Sequence, residues 1–405
     1  MKDIASRLME YVQIDTTSDG SKGVVPSSQG QRDFAQLLKT ELEELGVTDV
    51  TIDEHSCLMA RIKGNIEGNV PVAGFISHLD TAPDAPGANV VPVLHKNYDG
   101  NEIVIKEGLG ISPANAPDLA KYVGHDIITS DGTTLLGGDD KAGIAAILDA
   151  VAFIMNHPEI KHGDFCVAFT PDEEIGCGGD VFNVEKFGAD FAFTLDGETM
   201  GEFNCETFNA AEVKVIVNGH NVHPGNAKNI MINACDVGAE LATMMPALER
   251  PEHTEGYEGF FHLCEMSGDV EHFEMVYILR DFFKDALEDK KVRFKEIAKK
   301  VNDKYGEGVV ELEIRDEYSN MKEVLEDKNF IMDIAKEAYE ACGVPFEVKP
   351  IRGGTDGAKL SFKGLPCPNI FVGGNNFHSV AEFASVQAMK KASEIIVKIV
   401  ELTAK

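Results

Sequence analysis

Hydrophobic residues follow two kinds of pattern in the N-terminal half of the chain. Apolar positions three or four residues apart predict helices over 1–12, 28–45 and 143–155. Short and almost wholly apolar runs predict strands over 57–62, 70–77, 165–170 and 191–195. Strands of that composition are buried on both faces, as in a sheet covered by helices. The pattern therefore predicts an α/β fold.

The segment from Thr81 to Thr134 interrupts this pattern. It is rich in Pro, Gly, Asn and Asp and contains only short alternating pieces, such as 102–105. Residues of these types favour turns. We expect hairpins that cover the edge of the sheet.

The order of elements changes near Asn209. The patterns predict, in order, a strand over 211–217, a helix over 229–245, strands over 260–266 and 274–281, a helix over 284–302 and a strand over 309–315. The order β-α-β-β-α-β is that of a ferredoxin-like unit.

After Met321 the first pattern resumes, with a helix over 329–341, strands over 346–351 and 369–372, and a helix over 384–402. We therefore predict a discontinuous α/β domain, 1–208 with 321–405, and an inserted ferredoxin-like domain, 209–320.

Composition excludes several classes of partner. The 405 residues are 43% hydrophobic, enough for a large core, and carry a formal net charge of −31. Nucleic acids and anionic membrane surfaces bind basic proteins, so neither is expected as a partner. The eight cysteines include no C-x-x-C pair, which is typical of reduced thiols. With no signal-peptide pattern over 1–12, we expect a cytoplasmic protein.

Metal-ligating residue types follow the predicted strands. The candidates are His78, Asp140, the run Asp172-Glu173-Glu174, Asp196 and His378. In an open α/β sheet, ligands bind beyond the carboxyl ends of the strands. We therefore expect these side chains to meet in one crevice, where carboxylates and histidines would hold two divalent ions. Zn²⁺ suits such ligands best, and Mn²⁺ or Co²⁺ would also fit.

Five residues can give each of two ions three protein ligands only if one carboxylate bridges the ions. Asp140, at a tight Gly-Gly turn, is the expected bridge. His78 and Asp196 would complete one site, and Glu174 and His378 the other.

Two further acids have expected roles beside the ions. Asp80, two residues after His78, would accept the imidazole N–H and fix the orientation of the ring. Glu173 would be the general base that takes a proton from a metal-bridging water and passes it to the leaving amine.

Taken singly, each of these residues has an ordinary explanation. An Asp at a strand end is usually a cap or turn residue, and a lone His is usually a surface or packed residue. Their joint placement around glycine turns favours a metal-dependent hydrolase. There is no G-x-S-x-G, Walker A or H-E-x-x-H motif to support another mechanism.

Together the motifs resemble the di-zinc peptidases and acylases with an aminoacylase or carboxypeptidase-type core. The stretches that carry the resemblance are Ser77–Thr81, Leu136–Gly143, Thr170–Gly176, Leu195–Gly197, Gly219–Gly225, Arg352–Gly357 and Asn376–Ser379. They span nearly the whole chain, and within the family the tripeptide aminopeptidases are most similar. The resemblance implies a mixed-sheet α/β/α catalytic domain of zinc-exopeptidase type with an inserted lid or dimerisation domain.

The resemblance also implies a reaction and further site residues. The enzyme would release the N-terminal residue of a tripeptide by attack of a metal-bridging hydroxide. His223 would stabilise the oxyanion, from its own chain or from the partner in a homodimer, and Arg280 and Arg352 would bind the substrate carboxylate. For Arg280, a structural salt bridge is an equally good explanation.

Other functions remain open at this point. A dipeptidase or an N-acyl amino acid deacylase would share the same metal ligands. A catalytically silent metal-binding protein would also keep the fold.

Overall fold

The computed structural model describes residues 2–68 and 70–405, which form two compact units. The first contains the residues up to Cys205 together with Met321–Lys349 and Thr355–Lys405. The second contains Glu206–Asn320 and Pro350–Gly354. Residues 206–208 and 350–354, which the sequence analysis assigned to the α/β domain, lie in the second unit.

The elements alternate along the chain much as the hydrophobic pattern predicts. The strands are β1 Asp49–Ile52, β2 Leu58–Ile62, β3 Ala73–His78, β4 Val93–His95, β5 Ile103–Lys106, β6 Leu109–Ile111, β7 Ile127–Thr129, β8 Phe165–Thr170, β9 Phe191–Gly197, β10 Glu202–Asn204, β11 Asn209–Asn218, β12 Phe260–Gly268, β13 His272–Asp281, β14 Val310–Tyr318, β15 Glu347–Val348, β16 Asn369–Phe371, β17 Gly374–Asn375 and β18 Phe383–Ser385. The helices are α1 Ile4–Tyr11, α2 Gln29–Glu44, α3 Gly138–Asn156, α4 Gly178–Val181, α5 Val184–Phe187, α6 Ala234–Met244, α7 Lys284–Tyr305, α8 Lys322–Leu325, α9 Asn329–Ala341, α10 Asp356–Phe362 and α11 Val386–Thr403.

A mixed eight-stranded sheet forms the centre of the first unit, in the order β1-β2-β8-β3-β9-β16-β10-β15. Strand β3 pairs in parallel with both β8 and β9. Its successive residues Phe75 and Ile76 belong to different hydrophobic clusters, so each face of the sheet is covered. Helix α3 packs on β3 and β9, and α11 packs on α3. The predicted α/β/α architecture with a mixed sheet is confirmed.

The segment between β3 and α3 differs from the expected set of hairpins. Only β5 and β6 form a local hairpin. Strands β4 and β7 instead join β17 and β18 in a second, four-stranded sheet. Because β7 pairs with β18 near the far end of the chain, no local pattern could reveal this sheet.

The second unit has the predicted order of elements. Its four-stranded antiparallel sheet has the order β12-β13-β11-β14, and α6 and α7 pack against it. Alternate residues such as Val215 and Met275 face the helices and contact a core that includes Leu241 and Phe294. The unit therefore has a hydrophobic core of its own.

Some short elements were not predicted. The seven-residue helix α10 follows Thr355, whose side chain accepts a hydrogen bond from the Gly357 N–H. The strand expected over 346–351 is only Glu347–Val348.

All eight cysteines are free thiols. In the part of the chain that the structure describes, no helix combines the length and the apolar composition that crossing a bilayer requires.

Candidate metal centre

Three neighbouring parallel strands carry polar residues to one edge of the large sheet. Strand β3 ends at His78, directly opposite Thr170 at the end of β8. The loop after β8 carries Glu173 and Glu174, and β9 carries Asp196 next to its last residue. Because the strands run in the same direction, their carboxyl ends meet at one edge, as expected for ligand binding in this type of sheet.

The carboxylate of Asp139 lies between two histidines. Its Oδ1 is 2.9 Å from His78 Nε2, and its Oδ2 is 3.4 Å from His378 Nε2. The Nε2 atom of His378 is also 2.9 Å from Glu174 Oε2. One carboxylate thus presents one oxygen to each of two imidazole rings.

This position differs from the one predicted for the bridging residue, Asp140. The carboxylate of Asp140 accepts hydrogen bonds from the backbone N–H groups of His78 and Gly143, each at 3.2 Å. It lies near His78 and Asp196 rather than between the histidines. The two adjacent aspartates point in different directions at the start of α3, where neither has helical dihedral angles. The geometry that a shared ligand needs, with one oxygen facing each histidine, is therefore found at Asp139 and not at Asp140, where the sequence analysis expected it.

Two groups of side chains in this region could each hold a metal ion. They are His78, Asp139 and Glu174, and His78, Asp140 and Asp196, with ligand atoms within 4.8 Å of one another in each group. Imidazole and carboxylate donors suit Zn²⁺ and similar ions. Glu174 Oε1 is buried without a hydrogen-bond partner among the described residues. A buried carboxylate oxygen without a partner is costly, so the donor set fits a metal.

The charges of the site also favour cations. Burial raises the pKa values of Asp140, Glu173 and Asp196 well above their usual range, and raises the pKa of Glu174 to about 7. Burial acts in the same direction on Asp139, but hydrogen bonds from the two histidines lower its pKa below the usual value. So many desolvated carboxylates can all be ionised only if positive charge lies among them.

Burial acts in the opposite direction on the pKa of a histidine, because it disfavours the charged imidazolium. Burial by itself would lower the pKa of His78, but its hydrogen bonds to Asp139 and Asp80 raise it well above the usual value. Hydrogen bonds to Asp139 and Glu174 raise the pKa of His378 to about 11. Each imidazole is therefore held by carboxylates.

Asp80 connects His78 to the glutamate loop. It is fully buried, and its Oδ1 lies 3.3 Å from His78 Nδ1. Its two oxygens also accept hydrogen bonds from the backbone N–H groups of Glu173 and Glu174, at 3.0 and 3.1 Å. One carboxylate thus orients both the ring and the loop that carries the two glutamates.

Other polar groups form hydrogen bonds with the loop that carries Glu173 and Glu174. The sequence analysis gave these contacts no role. Asp172 accepts hydrogen bonds from the side chains of Ser27, at 2.6 Å, and Gln31, at 2.7 Å. Glu173 Oε1 accepts a hydrogen bond from the backbone N–H of Asp356, at 3.2 Å. Asp356 lies in the stretch Arg352–Gly357 that carried the family resemblance, whereas Ser27 and Gln31 lie in none of those stretches.

Two further buried charged residues lie beside residues 136–139, which form the turn that contains Asp139 (the Asp139 turn). Glu382 accepts hydrogen bonds from three backbone N–H groups of that turn, and burial raises its pKa to about 7. Lys141 donates to the Ile14 carbonyl at 2.8 Å, and burial lowers its pKa to about 8. Neither residue was predicted, since a single acid or base in the sequence carries no such signal.

The remaining predicted residues lie in the second unit. His223 is exposed, and its Nδ1 accepts a hydrogen bond from the Gly225 N–H at 3.1 Å. Arg280 forms a salt bridge of 3.0 Å to Glu317, the structural alternative considered for it. Arg352 donates to the carbonyls of residues 256 and 258, at 2.7 and 2.8 Å. It belongs to the second unit rather than to the first, where the sequence analysis placed it.

The fold and this cluster of ligands agree with the similarity of the sequence to known proteins. Residues 134–402 match the model of Peptidase family M20/M25/M40. The chain belongs to this family, and the predicted class of enzyme, a hydrolase of the aminopeptidase type, is confirmed.

Relatives that match along the whole length indicate a particular branch of the family. Peptidase T of Caldanaerobacter subterraneus subsp. tengcongensis is 52% identical over 407 residues, covering 100% of both chains. This is the branch that the sequence motifs indicated.

Two solved structures support the fold. An aminopeptidase, PepT, from Bacillus cereus has a TM-score of 0.75 at 24% identity, covering 99% of this chain and 98% of its own. A tripeptidase from Staphylococcus aureus has a TM-score of 0.77 at 22% identity, with the same coverage.

Proposed function

We propose that this chain is a metal-dependent aminopeptidase that releases the N-terminal residue from tripeptides. The observation that carries the proposal is the Asp139 carboxylate, with one oxygen facing each of two histidines. The full-length relatives named Peptidase T support the substrate class.

Two divalent ions would share Asp139 as their common ligand. His78 and Asp196 would complete one site, with Asp140 beside them, and Glu174 and His378 would complete the other. Zn²⁺ is the proposed ion, and Mn²⁺ or Co²⁺ are the alternatives. When bound, such ions polarise a carbonyl group and make a water molecule more acidic.

Glu173 is the proposed general base. Its carboxylate would take a proton from the attacking water and later deliver it to the nitrogen of the leaving amine. The Asp356 N–H holds Oε1 of this side chain, while Asp80 fixes the backbone of the same loop. Burial raises the pKa of Glu173, and a carboxylate with a raised pKa is a stronger proton acceptor than one in water.

His223 is proposed to stabilise the oxyanion of the tetrahedral intermediate. Because its Nδ1 accepts the Gly225 N–H, the neutral ring must carry its proton on Nε2. Nε2 is then a hydrogen-bond donor. The residue is exposed, so Nε2 can reach a group outside its own loop.

Arg352 and Arg280 are proposed to bind the terminal carboxylate of the peptide. A guanidinium has five N–H donors. In Arg352 these also bind two backbone carbonyls and the Thr254 hydroxyl, which fixes the plane of the group. For Arg280, the Glu317 salt bridge would have to coexist with substrate binding.

A substrate panel tests the proposal. Purified protein is dialysed against a chelator, reloaded with Zn²⁺, Mn²⁺ or Co²⁺, and assayed on matched tripeptides, dipeptides and N-acetyl amino acids. Metal-dependent release of the N-terminal residue from tripeptides alone is expected. Faster hydrolysis of dipeptides or acetylated substrates would assign one of the related activities, and no hydrolysis with any ion would indicate a silent metal-binding protein.

A homodimer formed through the second unit and a cytoplasmic location also remain proposals. Light scattering at the assay concentration tests the first, because a fully active monomer would contradict it. Cell fractionation tests the second.

A further inference from the structure

One short loop carries both His378 and Glu382. The loop is held by its own hydrogen bonds: Ser379 Oγ donates to the Asn376 carbonyl at 2.7 Å, and the Glu382 N–H donates to the Ser379 carbonyl at 3.2 Å. The Asn376 side chain donates to the Ala381 carbonyl at 3.2 Å. These bonds link residues on both sides of His378, so the positions of His378 and Glu382 depend on each other.

The carboxylate of Glu382 binds the Asp139 turn, residues 136–139, which leads into α3. Its Oε2 accepts hydrogen bonds from the Leu136 and Gly137 N–H groups, both at 2.8 Å, and its Oε1 accepts one from the Asp139 N–H at 3.0 Å. The residue is only 1% exposed. A carboxylate buried in this way is stable because several N–H donors surround it, and removing its charge would leave those donors poorly paired.

These two observations meet at the candidate metal centre. The third N–H bound by Glu382 belongs to Asp139, the residue whose Oδ2 lies 3.4 Å from His378 Nε2. One end of the loop therefore presents the imidazole, and the other end holds the backbone from which the opposing carboxylate projects.

We propose that Glu382 is a positioning residue that aligns Asp139 with His378 so that a metal ion can bind between them. The inference rests on the proposed metal-dependent function and deepens it. Glu382 touches neither the metal nor the substrate and acts through the turn at 136–139. Its loss should weaken metal binding, and most strongly the ion on the His378 side.

If Glu382 only stabilised the fold, its replacement would lower Tm and leave zinc affinity unchanged. The substitution Asp149→Asn is a matched control for that case. Asp149 lies on α3, the helix that also contains Asp139, and is 8% exposed. Its Oδ2 accepts hydrogen bonds from Lys390 Nζ at 2.7 Å and from Ser393 Oγ at 2.6 Å, which connects α3 to α11. Like Glu382→Gln, Asp149→Asn therefore removes a buried negative charge, but it does so without touching the Asp139 turn.

The test compares Glu382→Gln and Asp149→Asn with the wild-type protein. Zinc dissociation constants are measured on the apo proteins by competition with a chromophoric chelator, together with zinc content and the Tm of each apo protein. Residues that orient metal ligands contribute about 10- to 100-fold to metal affinity. Glu382→Gln should therefore raise at least one of the two zinc dissociation constants about tenfold or more, whereas Asp149→Asn should lower Tm and leave both zinc dissociation constants unchanged.

The outcomes separate the two proposals. Wild-type zinc affinity in Glu382→Gln would overturn the positioning role, whatever happens to its Tm. If that variant does not fold, Glu382→Asp is judged by the same criterion, because it keeps the charge but shortens the side chain. A wild-type protein that binds fewer than two zinc ions, or hydrolyses no peptide, would instead count against the proposed function.

Discussion

Replacing Asp139 by Asn should weaken the binding of both metal ions, whereas the same change at Asp140 should affect one ion at most. The reason is geometric. Asp139 faces His78 and His378 with separate oxygens, at 2.9 and 3.4 Å. Asp140 instead accepts two backbone N–H groups, each at 3.2 Å, and lies near Asp196 on one side only.

The expected magnitudes follow from typical zinc affinities. Structural zinc with four protein ligands is bound by about 10–16 kcal/mol, so an average ligand contributes about 3 kcal/mol. Because about 1.4 kcal/mol corresponds to a factor of ten, losing one ligand raises a dissociation constant about a hundredfold. Asp139→Asn should cause a loss of that size at both sites. Asp140→Asn should cause a smaller loss, about 10- to 100-fold, at the His78 side alone.

The assay measures zinc affinity and zinc content in parallel. Each apo variant is titrated against a chromophoric chelator and then dialysed before elemental analysis, with circular dichroism to check folding. Asp139→Asn should retain almost no zinc, and Asp140→Asn should retain at least one ion per chain. If Asp140→Asn lost both ions while Asp139→Asn kept two, the assignment of the shared ligand to Asp139 would be refuted.

Three further substitutions test the other proposed roles. Glu173→Gln should lower kcat about 10²- to 10⁴-fold with zinc content unchanged, since it removes only the proton acceptor; a near-normal rate would exclude the base assignment. Asp80→Asn should weaken zinc binding about 10- to 100-fold, because the His78 ring and the glutamate loop lose a shared acceptor. Unaltered zinc affinity in that variant would show that other contacts suffice. His223→Ala should lower kcat about 10²- to 10³-fold with little change in zinc content, as loss of an oxyanion donor does. A change confined to KM would assign His223 to substrate binding instead.

The long elements and the convergence of the polar residues could be predicted from the sequence. Fully apolar runs followed at once by His78, by the Glu173–Glu174 loop and by Asp196 are enough to place these side chains at one edge of a parallel sheet. The prediction rests on strand direction, which the pattern of a buried sheet implies.

The choice between Asp139 and Asp140 could not be made in that way. The two residues are adjacent at the start of a helix, and the direction of each side chain depends on local dihedral angles that a hydrophobic pattern does not contain. The structure separates them through their hydrogen-bond partners, which are imidazoles for Asp139 and backbone N–H groups for Asp140.

Residues that act through distant partners were equally inaccessible. Glu382 binds a turn more than 240 positions earlier in the chain, and strand β7 pairs with β18 across a similar separation. Arg352 stands in a motif that suggested the first unit, yet its guanidinium binds carbonyls of the second. In each case the decisive contact joins positions that are far apart in the sequence.

The buried hydrogen bonds that Asp80 makes to the glutamate loop imply how this protein should exchange its ions. The scaffold of the candidate metal centre is held together by the polypeptide itself, through backbone N–H groups that donate to a buried carboxylate. Stripping and reconstitution should therefore be reversible without refolding. A cobalt-substituted form could then report on the coordination sphere by its visible absorption while keeping the same backbone.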